Sequence, residues 1–195
     1  MNSHNSATAV SSELNSEVNE DKNALAVKAN SIIKNILYLT LATSDSNNNP
    51  WNSPVYCAFD KSLDFFWMSA SESQHAINIR NNGKAFGVIY DSSVPHGQGF
   101  GVYFNGVAVE YNADNIDKIK QGIEILGDRI DAAKRPTPED YLAPNPRRVY
   151  GLHAHSFWVN VFVKQDGKYI DKRIDITKEL KQEYAGASNK LLKLS

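Results

Sequence analysis

The chain has 195 residues, 42% of them apolar and 22% charged, with 21 Lys and Arg against 22 Asp and Glu for a net charge of −1. That is the size and composition of one globular domain, and it excludes disorder of the whole chain. No apolar run nears the roughly 18 residues of a membrane span, the charge balance gives no case for nucleic acid, and the lone Cys57 excludes a disulfide framework or paired-cysteine zinc.

Met1 to Asn23 carries five Ser, five Asn, one Lys and four acids without a sustained apolar pattern. It has neither the basic start and apolar core of a secretory signal nor the arginines of a mitochondrial presequence. The segment reads as a disordered arm, and the chain as cytoplasmic.

From residue 24 the pattern tightens. Leu25, Ala29, Ile32, Ile33, Ile36 and Leu37 recur at helical spacing and predict a helix over 24–37. The period then changes to strands. Tyr38–Thr43 is a short β-run, closed by a turn-rich segment ending at Pro50. Trp51–Phe59 and Leu63–Ser69 follow as strands, joined through Asp60-Lys61-Ser62. Ser71–Asn82 predicts a short helix with Ser71 or Ser73 as its cap and Gly83 as its stop. Lys84–Asp91 and Phe100–Tyr111 are strands flanking a Pro/Gly loop. Ile116, Ile119, Ile123, Leu126 and Ile130 alternate three and four apart, which predicts a helix over 114–133. After four prolines come strands near Val149–Ala154, Phe157–Val163 and Lys168–Ile176. Residues 177–195 read as a helical or frayed tail. Many short strands with tight turns and interspersed helices predict an antiparallel barrel with peripheral helices, residues 24–176 forming the domain.

Most candidate chemistry has a plain structural reading. His153 and His155 lie two apart on a strand, but two imidazoles without a third ligand are a weak metal signal, and no metal site is expected. Cys57 sits in the apolar run Val55-Tyr56-Cys57-Ala58-Phe59, the setting of a buried structural thiol. There is no Gly-x-Ser-x-Gly for a hydrolase nucleophile and no Gly-x-Gly-x-x-Gly opening a helix. Phe66-Trp67-Met68-Ser69-Ala70-Ser71-Glu72-Ser73-Gln74-His75 is different. There a strand runs through small hydroxyl residues into a helix, which offers free N–H groups and the positive end of the helix dipole to an anion. Helix capping by Ser71 or Ser73 is the alternative.

Asn52-Ser53-Pro54-Val55-Tyr56, Phe66-Trp67-Met68-Ser69, and His75 with Asn78 resemble the flavin-binding split-barrel family related to pyridoxamine 5′-phosphate oxidase. Asp91-Ser92-Ser93-Val94-Pro95, Gly97-x-Gly99-x-Gly101-Val102-Tyr103 and Gly106-x-Ala108 continue the likeness in order, over roughly residues 28–176. The resemblance implies a mainly β, six-stranded antiparallel split barrel with peripheral helices, and FMN held between the subunits of a homodimer. By it, Asn52, Ser53, Pro54, Val55, Trp67, Met68 and Ser69 lie beside the flavin ring. Ser73, Gln74 and His75 meet the phosphate, where a protonated His75 would act as a charged donor. Trp158 and Arg173 reach in from the partner.

The chain departs from the oxidase at the phosphate. The cationic positions there match Asn52, Cys57, Gln74 and His75, so charge has to come from His75, Arg80, Lys84 or Arg173. Pyridoxal-phosphate synthesis is therefore not expected. The implied activity is an FMN-dependent oxidoreductase of unassigned substrate, with no residue standing out as catalytic acid or base. The alternatives are a non-catalytic flavin-binding module, or the same barrel using deazaflavin or haem with His153 or His155 as ligand. The seam on helix 114–133, and aromatics in excess of one small barrel's needs, are the chain's own argument for a dimer.

Overall fold

The structure is a computed structural model and describes residues 22–130, 132–165 and 168–191. The predicted arm falls almost wholly on residues 1–21, outside the described residues. Helix α1 spans residues 22–35, so it starts and stops two residues before the predicted bounds. Ile36 and Leu37 lead instead into β1 (Tyr38–Ser44).

One antiparallel sheet follows, formed by β1, β2 (Pro50–Tyr56), β3 (Ala58–Phe59), β4 (Asp64–Ala70), β5 (Lys84–Tyr90), β6 (Gly101–Glu110), β7 (Arg147–Gln165) and β8 (Lys168–Asp175). Its order is β2-β1-β5-β6-β7-β4-β3, with β8 paired to the far end of β7. Eight strands replace the expected six. The sequence run 51–59 breaks at Cys57, whose N–H turns back to the carbonyl of Leu37. The two predicted strands around residues 149–163 are one strand of 19 residues, because a register shift opposite Asn105/Gly106 absorbs His155 without ending the ladder.

Alternation decides what lies inside. Leu39, Leu41, Phe65, Trp67, Ile89, Val102, Phe104, Leu152 and Val159 are each fully buried. Phe65 stacks on Phe104 at 4.3 Å. Gly87 makes room for that stack, since a Cβ there would stand 2.3 Å from the Phe104 ring. α1 and α4 (Thr177–Leu191) cover one opening through Ala29, Ile33 and Leu180. Helix α3 (Ile116–Arg129) lies on the outer face of β3, β4 and β7, where Ile119, Ile123 and Leu126 meet Phe66 and Val149. Most of the seam expected to serve a dimer is thus buried within the chain, with Ile130 left exposed. From the last turn of α3, Arg129 donates to the carbonyls of Ile33, Lys34 and Ile36, at the C-terminus of α1. No helix among the described residues is long and apolar enough to cross a membrane.

The sheet curls so that its edge strand β2 comes back beside β4, near the other end of the strand order. The two are not paired with each other, which leaves a split in the barrel. Helix α2 (Gln74–Asn82) starts three residues after β4 and stops at Gly83, whose φ of 65° suits a residue without a Cβ. The split and this helix start frame the candidate site.

Candidate functional site

Three of the expected positions converge on the imidazole of a fourth. His75 is 6% exposed. Its Nε2 lies 2.9 Å from Ser69 Oγ and 3.1 Å from Ser73 Oγ, and its Nδ1 lies 3.2 Å from Ser53 Oγ. Ser53 belongs to β2, Ser69 to β4 and Ser73 to the N-cap position of α2, so one ring touches both sides of the split and the helix start. Burial lowers the His75 pKa from its ordinary value. That direction is opposite to the one a bound phosphate would impose, and it favours the neutral ring.

The expected cap is not made. Ser73 stands at the N-cap position without a side-chain bond to the backbone amides of the helix; its hydroxyl donates to the Ala70 carbonyl at 2.9 Å. The first backbone bond of α2 runs from Ile77 N–H to the Ser73 carbonyl. The amides of Gln74, His75 and Ala76 thus precede the ladder, and no acid stands in the first turn. Gln74 donates to Asn78 at 2.9 Å, and the fully buried Asn78 donates to Thr43 of β1 at 3.0 Å, a second tie from helix to sheet.

Trp67 points into the core, stacked on Tyr150 at 5.6 Å, and its indole nitrogen has no hydrogen-bond partner. Val55 is buried on the same interior side. Asn52 and Pro54 are exposed on the other face of β2, and Met68 is half-buried on the other face of β4. Near Met68 and Tyr56 a cavity of about 300 Å³ opens between the two strands and α3, floored by Ile123, Leu126 and Tyr141. Its rim carries Lys134, Arg135 and Arg147. Arg135 pairs with Asp128, while Lys134 and Arg147 have no carboxylate partner among the described residues.

Three residues next to the site escaped the sequence reading. Glu110 accepts from Arg80 at 2.7 Å and from the Tyr150 hydroxyl at 2.9 Å, with Arg148 at 3.9 Å. Arg80 also donates to the Ser71 carbonyl at 2.7 Å, so this expected source of charge is engaged beside the junction. Burial, then the bond to Glu110, raises the Tyr150 pKa. The adjacent Arg147 and Arg148 at the start of a strand were the visible signal.

Other expectations fall elsewhere. Trp158 and Arg173 lie toward the other end of β7 and on β8, Trp158 stacked on Phe86 at 6.3 Å and Arg173 over the Tyr103 ring at 3.4 Å. Within one chain they are not part of the Ser53–Ser69–His75 cluster. Cys57 is buried, and burial pushes its thiol up to about 12, as expected of a structural residue. His153 is held by Asp64 at 2.8 Å and lies 3.4 Å from the Tyr111 hydroxyl. No group of three metal-ligating side chains occurs among the described residues.

The family model for pyridoxamine 5′-phosphate oxidase matches residues 25–154, more than half of the chain. Among solved structures, a heme binding protein from Mycobacterium smegmatis superposes with a TM-score of 0.58 at 18% identity, covering 81% of this chain and 60% of that one. HutZ, the heme storage protein from Vibrio cholerae, gives 0.53 at 18% identity, over 66% of this chain and 88% of its own. A FAD-binding protein from Mesorhizobium loti gives 0.50 at 13% identity, over 68% and 91%. At these identities the likeness is one of fold. No curated protein matches the sequence.

Proposed function

Because the chain belongs to the pyridoxamine 5′-phosphate oxidase family, we propose that it binds FMN and works as an FMN-dependent oxidoreductase in the form of a homodimer. The observation that carries this reading is the start of α2. Its first amides are uncapped by Ser73, no acid stands in its first turn, and hydroxyl and amide side chains surround it. The residues fit a phosphorylated flavin. Gln74 and the three free amides at the start of α2, just past Ser73, would receive the phosphate, and Asn52, Ser53, Pro54, Val55, Met68 and Ser69 line the two strands beside the ring. Trp67 and the hydroxyl-bound His75 support those strands from within. Bound flavin would supply the redox chemistry, while the protein orients it and limits water.

The cavity beside Tyr56 and Met68 suits the substrate. An apolar floor under unpaired Lys134 and Arg147 fits an organic anion with a flat or aliphatic body. Homodimerisation rests on the outer face of β5–β8, where Phe86, Tyr103, Trp158 and Arg173 line up and Phe162 is 55% exposed. On this reading Trp158 and Arg173 complete the flavin site of the partner. A cytoplasmic setting agrees with chemistry of this kind.

The absorption spectrum of the purified protein tests the cofactor. Flavin bands that shift on reduction are expected; an intense Soret band would replace this reading with the haem alternative. Flavin that is bound but never turns over with a reductant and oxygen would make the protein a carrier or sensor. Light scattering tests assembly, with a monomer mass at micromolar concentration refuting the dimer.

A further inference from the structure

We propose that His75 is a neutral latch across the split of the barrel, a positioning residue that fixes β2 against β4, and not a ligand of the phosphate. The inference deepens the flavin reading but rests on the protein's own hydrogens.

Those hydrogens can be counted. Ser73 has one hydroxyl proton, and it goes to the Ala70 carbonyl. Toward His75, 3.1 Å away, Ser73 can therefore only accept, which places the imidazole proton on Nε2. The same N–H is shared with Ser69 Oγ at 2.9 Å. Nδ1 is then the bare nitrogen and takes the hydroxyl proton of Ser53 at 3.2 Å. Ser53 is free to give it, because its oxygen already accepts from the indole N–H of Trp51 at 3.1 Å. Trp51, Ser53, His75, Ser73 and Ala70 thus form one directed chain in which every contact has a hydrogen. Only the neutral Nε2–H tautomer satisfies it. A second proton on Nδ1 would meet the proton of Ser53 and force that hydroxyl to turn away.

The placement gives the latch its leverage. β2 is an edge strand whose one ladder is to β1, and its backbone makes no ladder with β4. The His75 ring supplies a side-chain tie between them, through Ser53 on one side and Ser69 on the other. Both ring nitrogens are used, so neither is left for a phosphate oxygen. Because β2 and β4 are the strands proposed to flank the flavin ring, loosening the latch acts on ring binding.

Two variants test this. Ser53→Ala removes only the β2 arm and leaves the core intact; His75→Gln keeps an N–H toward Ser69 and Ser73 and shortens the reach to Ser53. In flavin-free protein, amide hydrogen exchange along Trp51–Val55 should speed up roughly 3- to 10-fold in Ser53→Ala, with β5 and β6 unchanged, from the loss of one hydrogen bond. FMN and riboflavin should then weaken by the same factor in both variants, because the lesion is at the ring. Loss of FMN with riboflavin untouched would make His75 a phosphate ligand and overturn the latch. Unchanged exchange in both variants would overturn it as well. If exchange responds as stated while even the wild-type protein binds neither flavin, the latch stands and the flavin reading falls.

Discussion

The corner built by β2, β4 and α2 and the outer face of β5 to β8 are both rich in residues the family likeness singles out, yet they are finished to different degrees. At the corner, hydroxyls, amides and a buried imidazole satisfy one another within 3.2 Å. On the outer face, Phe162 and Tyr90 stand about half exposed, and Arg173 lies flat on Tyr103. The hydroxyl, amide and imidazole contacts of the corner close within one chain. The face keeps apolar area exposed and carries a cation on an aromatic ring, which is how a surface is built when another molecule supplies the last layer.

Two tryptophans put the largest number on that contrast. Trp67 is fully buried at the corner, stacked on Tyr150. Trp67→Ala should cost about 3–5 kcal/mol of folding stability, the range for deleting a large aromatic from a packed core. Trp158 on the face is half-buried against Phe86. Trp158→Ala should leave single-chain stability within about 1 kcal/mol and raise the dissociation constant of the proposed dimer at least tenfold, as hot-spot tryptophans do. Denaturant melts and concentration-dependent light scattering read the two effects separately. If Trp158→Ala destabilises as much as Trp67→Ala with no change in association, the contrast between the regions is false.

A mid-sized effect probes the cavity beside Tyr56 and Met68. Arg147→Gln should weaken carboxylate- or phosphate-bearing aromatic ligands by about 1–3 kcal/mol, the worth of a charge-assisted hydrogen bond, and leave uncharged analogues unaffected. Calorimetric titration with matched charged and neutral compounds checks it. Equal loss for both would show that Arg147 shapes the cavity wall and does not read charge.

The strands were legible because their alternation is clean: Leu39, Leu41 and Thr43 point in from β1, and Ala85, Gly87 and Ile89 from β5. β7 was read as two strands because His155 and Ser156 interrupt its apolar pattern; a bulge, which pattern alone does not show, lets the ladder continue. At the site, Ser53, Ser69 and His75 were named from family likeness, but their convergence was not visible. It depends on the sheet curling until β2 reaches β4, and no local spacing between residues 53 and 69 encodes that closure. Tyr150 and Glu110 were missed for the same reason, since they face each other from β7 and β6. Helix capping by Ser73 was the local reading of the same residues, and it gave way once the hydroxyl found partners in Ala70 and His75.

The smallest effect expected is a slope in stability against pH, and it asks whether the corner is as complete as it looks. Burial holds the folded pKa of His75 below its ordinary value near 6.5. The unfolded chain therefore binds a proton that the folded chain refuses, between the depressed value and about 6.5. Stability from the neutral ring is fully present above that upper limit and drains away as pH falls below it. One proton limits the slope to about 1.4 kcal/mol per pH unit. His75→Gln has no group to titrate in this window, so its stability curve between pH 7 and 5 should be flatter than that of the parent by up to that amount. The pair of His153 with Asp64 is the same in both proteins and cancels in the comparison. Denaturant midpoints at half-unit pH steps are sufficient to see it. Parallel curves would mean that the ring accepts its second proton at no cost, with Ser53 turning freely, and the corner would then be as unfinished as the outer face.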